Sequence, residues 1–150
     1  MVNENLIQTH GETSAQLFGE LRSLLQRSPS EATWLELCEL LERAWLDHPE
    51  ALENTLLPYA SQALSRWPDA LRKMPGNWQH YLTTKSSYPP SLLLRTVRLR
   101  PMDQAPWRRL LSWLDTASIT SLDVSLAKLG PLQLARLELL SMLRGFHLVR

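Results

Sequence analysis

The stretch Ile119–Arg150, ITSLDVSLAKLGPLQLARLELLSMLRGFHLVR, decides the fold. It opens on alternating apolar residues, crosses a Gly130-Pro131 step into a helical run, and closes on alternation again. Alternation over a few residues marks a half-buried strand, whereas leucines spaced three and four apart mark one face of a helix. The segment therefore predicts strand, helix, strand, and two strands joined through a helix pair in parallel.

The same unit stands upstream. LRTVRLRPM from Leu94, ITSLDVSLA from Ile119 and LRGFHLVR from Leu143 align on three apolar triads: Leu94, Val97, Leu99; Ile119, Leu122, Val124; Leu143, Phe146, Leu148. The first gap holds PWRRLLSWLD, with Trp107, Leu110, Leu111 and Leu114 at helical spacing behind Pro106; the second holds Leu134 and Leu137 behind Gly130-Pro131. Residues 92–150 thus resemble a degenerate leucine-rich repeat of the longer, ribonuclease-inhibitor-like kind, in which each strand is followed by a helix. Two positions depart from that pattern, since Ala127 and Met102 stand where the motif's turn asparagine belongs.

The resemblance implies a partner. Leucine-rich repeat proteins typically bind other proteins through the exposed face of the strands, where residues alternate with the buried triad. On this alignment the rows are Thr96, Ser121, Gly145; then Arg98, Asp123, His147; then Arg100, Ser125, Val149. Arg98, Arg100, Asp123 and His147 are accordingly the expected binding residues. The final strand is expected to form an open sheet edge, covered by the N-terminal helices or by a partner, including a second copy of the chain.

The first half reads as helices. Thr13-Ser14-Ala15-Gln16 has the form of a capping box, and Leu17, Phe18, Leu21, Leu24 and Leu25 follow at helical spacing. Ser28-Pro29-Ser30 ends that helix and caps a second, whose apolar stripe is Trp34, Leu37, Cys38, Leu41, Ala44 and Trp45. Pro49 suits the first turn of a third helix, which Pro58 should kink or divide. Short helical turns follow between Trp67-Pro68 and Met74-Pro75 and in NWQHYLTT. The expected architecture is mostly α with a small parallel β-sheet: a polar, disordered leader (1–12), a helical bundle or cap (13–84), a linker (85–91) and a short β/α array of about three strands (92–150) sharing a core with the bundle.

Composition narrows the function. A chain of 150 residues can bury about 70% of its unfolded surface, enough to fold without cross-links. Its one cysteine, Cys38, cannot form an intramolecular disulfide, and no signal peptide or bilayer-length apolar run is present, so a cytoplasmic protein is expected. The net charge of +1 hides an asymmetry: residues 1–75 carry six Lys/Arg against eleven Asp/Glu, and residues 76–150 carry ten against four. Such a division suits two modules with different faces, or a partner with complementary patches.

Four histidines lie scattered without metal-ligand spacing, and dinucleotide, P-loop, H-E-x-x-H and C-x-x-C motifs are missing, so neither metal nor cofactor is expected. The leading reading is a non-enzymatic module that binds and occludes or scaffolds a partner protein, such as a dedicated inhibitor, immunity or chaperone-like protein. An alternative is an enzyme using Ser125 and Lys128, which match S-x-x-K, or the row Arg98, Asp123, His147. A further alternative is nucleic-acid binding through Arg95, Arg98, Arg100, Arg108 and Arg109, although few aromatics interleave these arginines.

Overall fold

A computed structural model describes residues 13–150. The leader 1–12 lies outside the described residues. The chain is mostly helical with one three-stranded parallel sheet, as the alternation and helical spacing require. It divides into two compact units between Arg66 and Trp67, not within the expected linker 85–91.

The first unit begins with α1 (Ser14–Leu25), α2 (Glu31–Asp47) and a short α3 (Pro49–Ala51). The capping box forms: Gln16 N–H donates to Thr13 Oγ1 at 3.1 Å, and Thr13 N–H donates to Gln16 Oε1 at 2.8 Å. Such a cap stabilises a helix by about 1 kcal/mol. Leu17, Leu21 and Leu24 on α1, and Trp34, Leu37, Cys38, Leu41 and Ala44 on α2, are buried. Trp34 therefore belongs to the core, as its place on the leucine stripe required, whereas Trp45 on the same stripe is only half-buried.

Pro58 divides the third helical stretch. A π-helical turn, Leu52–Leu56, widens the backbone just before α4 (Leu57–Leu64), which carries Pro58 in its first turn. Proline has no N–H to give to the preceding turn, and a locally widened ladder absorbs that loss.

The second unit, Trp67–Arg150, contains the sheet. After a 3₁₀ turn (Asp69–Leu71) come α5 (Trp78–Thr84), a second 3₁₀ turn (Pro89–Leu93), β1 (Thr96–Arg98), α6 (Gln104–Thr116), β2 (Ser121–Asp123), α7 (Pro131–Arg144) and β3 (His147–Val149). The sheet order is β1-β2-β3, all parallel. Val97 and Leu122 are fully buried at its centre, and α6 packs against α5.

Segment 85–91 is built into this unit. Tyr88, Pro90 and Ser91 are buried; Tyr88 meets Trp78 edge-on, with ring centroids 5.0 Å apart, and lies 4.7 Å from Tyr81. Trp113 Nε1–H donates to Ser91 Oγ at 2.9 Å, and Ser91 Oγ–H donates to the Tyr88 carbonyl at 2.7 Å. The two prolines oppose an α-helix, as expected, but they set a 3₁₀ turn rather than a tether.

The two ends of the sheet differ. At the β1 side Lys73 forms a parallel bridge with Thr96; Met74 N–H donates to the Thr96 carbonyl, and the Arg72 carbonyl accepts from both Arg95 and Thr96 N–H. The buried Arg72 side chain reinforces this seam, donating from Nε to the Leu93 carbonyl at 2.9 Å. At the β3 side, His147 N–H donates to Thr120 and Val149 O accepts from Val124. Backbone groups alternate in direction along a strand, so those of Leu148 point away from β2.

Candidate functional site

The sheet face brings some of the expected binding residues together and separates others. Between β1 and β2 the register is as the alignment requires, with Thr96 opposite Ser121 and Arg98 opposite Asp123. Between β2 and β3 it is shifted by two residues: His147 lies opposite Ser121, Leu148 opposite Leu122, and Val149 opposite Asp123. His147 is thus not a lateral neighbour of Asp123. Leu143, aligned with the buried Leu94 and Ile119, is still on α7 and exposed.

Gly145 causes the shift. It ends α7 at φ 77°, the left-handed region that glycine enters without steric cost, and its N–H closes the helix on the Ser141 carbonyl at 2.8 Å. A shift of two residues leaves every side chain on its original face, so alternation alone cannot detect it.

Asp123 is the most engaged side chain on this face. Its Oδ1 accepts from the Ser125 hydroxyl at 2.6 Å and from Ser125 N–H at 2.9 Å, while Oδ2 accepts from Arg98 Nε at 3.2 Å. The Ser125 hydroxyl, then its N–H, and the nearby Arg98 charge hold this carboxyl below its ordinary pKa of 3.8. It stays ionised and is a poor proton acceptor. Ser125 in turn spends its proton on Asp123, and Lys128 sits in a left-handed turn at φ 54°.

Arg100 is held by its backbone. Its N–H donates to Gln79 Oε1 at 2.9 Å, and its carbonyl accepts from Gln79 Nε2 at 3.1 Å, so one amide side chain on α5 substitutes for a neighbouring strand. The guanidinium lies against Gly76, where an added Cβ would approach Arg100 Nη2 at 3.1 Å.

A second surface lies on the helices. On α7 only Leu137 is buried, whereas Leu132 (84%), Met142 (81%), Leu143 (73%) and Leu139 (58%) are exposed. Leu132, Leu139 and Leu143 repeat at helical spacing on one side and Leu134 and Leu137 on another, so the helix is apolar nearly all round. Beside it runs a groove of about 320 Å³ between α6 and α7, lined by Leu111 and Asp115 on one wall and Arg136, Leu139, Leu140 and Leu143 on the other. Asp115 is paired with Arg144 at 3.3 Å, and Glu138 with Arg150 at 2.8 Å. The sequence reading missed this surface, although six leucines between residues 132 and 143 exceed what one buried stripe can hold.

Among the described residues, no group of three or more His, Cys, Asp or Glu side chains is placed to hold a metal ion, and no helix is long and apolar enough to cross a membrane. Cys38 is buried, and burial, with Glu42 and Glu39 adding to it, pushes its thiol pKa far up. No family model, curated protein or solved structure matches the chain.

Proposed function

We propose that the chain is a cytoplasmic protein-binding module without catalysis of its own, in which the second unit acts as a short leucine-rich-repeat-like array. One observation carries this reading: α7 is apolar on two faces and buries only one of them. Four exposed Leu and Met side chains on one helix form a patch of the kind that isolated proteins rarely leave bare and that interfaces use. The sheet face adds Arg98, Arg100, Asp123 and His147 as polar contacts, with Asp123 fixed by Ser125 and Arg98 and with Arg100 held through Gln79.

The test is retention of a protein partner by the tagged full chain, compared with a Leu132→Glu/Leu143→Glu variant. Both positions are exposed, so the variant should fold normally by circular dichroism. The reading expects a stoichiometric partner on the wild type and its loss from the variant. Equal retention by both proteins, or none by the wild type, would defeat it.

A further inference from the structure

The chemistry of the α6–α7 groove narrows the partner class, provided that the protein-binding reading above is right. We infer that the groove accepts an amphipathic helix of a partner protein, with aliphatic side chains turned inward and carboxylates along its flank.

Three observations support this occupant. Leu111, Leu139, Leu140 and Leu143 provide an apolar trough between two helices, the setting in which helical ligands place anchors three, four and seven residues apart. With about 200 Å² for a fully exposed Leu or Met, Leu139 and Leu143 in the trough together with Leu132 and Met142 beyond it bare roughly 600 Å² on α7, close to the ~800 Å² each partner contributes to a standard interface. The unanswered charge beside the trough is positive. Asp115 already has Arg144, whereas Arg136 on the opposite wall makes no ion pair among the described residues, and Arg108 stands one turn before Leu111 on α6.

The charge of the unit points the same way. Residues 67–150 hold twelve Lys/Arg and five Asp/Glu, a net +7. A second copy docking through the same face about a two-fold axis would oppose +7 to +7 and bring like patches together. An acidic helix instead gains steering as well as contacts.

The probe is a displayed library of helix-forming peptides, selected against the full-length protein. Enriched peptides should combine aliphatic residues at helical spacing with net negative charge, and should bind at least tenfold more weakly to Leu139→Asp. They should also weaken against Arg136→Glu, and a Lys-for-Glu version of the best peptide should bind that variant better than the wild type. Enrichment of cationic or uncharged peptides, no enrichment, or binding indifferent to Leu139→Asp overturns the inference. So does a wild-type dimer, by sedimentation, that Leu139→Asp converts to monomer, because the face would then belong to a second copy. Acidic peptides lost on Arg98→Glu but not on Leu139→Asp would move the site to the sheet face, leaving the protein-binding reading intact. Failure of both the library and the tagged chain to retain any protein would remove that reading too.

Discussion

Replacing Gln79 by methionine isolates what one side chain does for the rim of the sheet. Methionine matches glutamine in length and flexibility but can neither accept from Arg100 N–H nor donate to its carbonyl, so bonds of 2.9 and 3.1 Å are both lost. Each neutral hydrogen bond contributes about 1 kcal/mol net, giving a loss of about 2 kcal/mol in the second unit. For a chain of this size that lowers its melting temperature by about 4–8 °C. Circular dichroism melts measure the shift, and hydrogen exchange locates it, since the Arg100 amide should lose protection while amides of β2 retain theirs relative to global stability. Gln79→Glu is the informative companion. A carboxylate still accepts from Arg100 N–H but faces its carbonyl without a proton to share, which raises its folded pKa above the ordinary value of about 4.3, so this variant should recover stability as pH falls from neutrality, with the gain complete by about pH 4. A Gln79→Met melt within about 0.5 kcal/mol of wild type, with the Arg100 amide still protected, would refute this account of how Arg100 is held.

Other perturbations test separate parts of the structure. Gly145→Ala meets no atom within 4 Å but must hold φ at 77°, so it should cost about 1 kcal/mol in urea unfolding; a neutral result would mean that the end of α7 relaxes freely. The folded-state pKa of Asp123 lies below its unfolded value of 3.8. Its stabilising contribution is therefore fully present above that value and disappears as pH falls through the depressed folded pKa. Urea midpoints between pH 5 and pH 2 should accordingly show a shallower acid slope for Asp123→Asn than for wild type, and parallel slopes would contradict the assignment. Cys38, buried and with its thiol pKa pushed up, should react with a thiol reagent at the rate of unfolding rather than of a free thiol. Rapid labelling in native buffer would show that α2 opens locally.

Much of the fold was written in local chemistry. The capping box at Thr13 and Gln16, the Ser30 cap and the break at Pro58 depend on residues within one or two turns, and each forms where its sequence places it. The pairing of β1 with β2 was legible because their buried triads, Leu94/Val97/Leu99 and Ile119/Leu122/Val124, fix both face and register. The β3 register was not. Phe146 and Leu148 share a face, so either can be set opposite Leu122, and the left-handed turn at Gly145 decides for Leu148. The same limit applies to the site. Arg98 and Asp123 meet as the pattern required, but the bonds from Ser125 to Asp123 and from Gln79 to Arg100 arise from how loops and helices close on the sheet. The leucines of α7 are chemically alike in the sequence. Only packing distinguishes Leu137, which is covered, from Leu139, which is bare.

The bridge between Lys73 and Thr96 gives the sheet a direction of growth. Because the β1 edge is already engaged by residues 72–74 of the same chain, a second copy cannot join its β1 to the β3 of the first. Head-to-tail stacking, which would propagate without limit, is blocked at its first step. Any association through strand edges must place β3 against β3 and is complete at two chains. A few backbone hydrogen bonds at one edge of the sheet thus decide that strand-edge association, where it occurs, closes on itself and does not propagate.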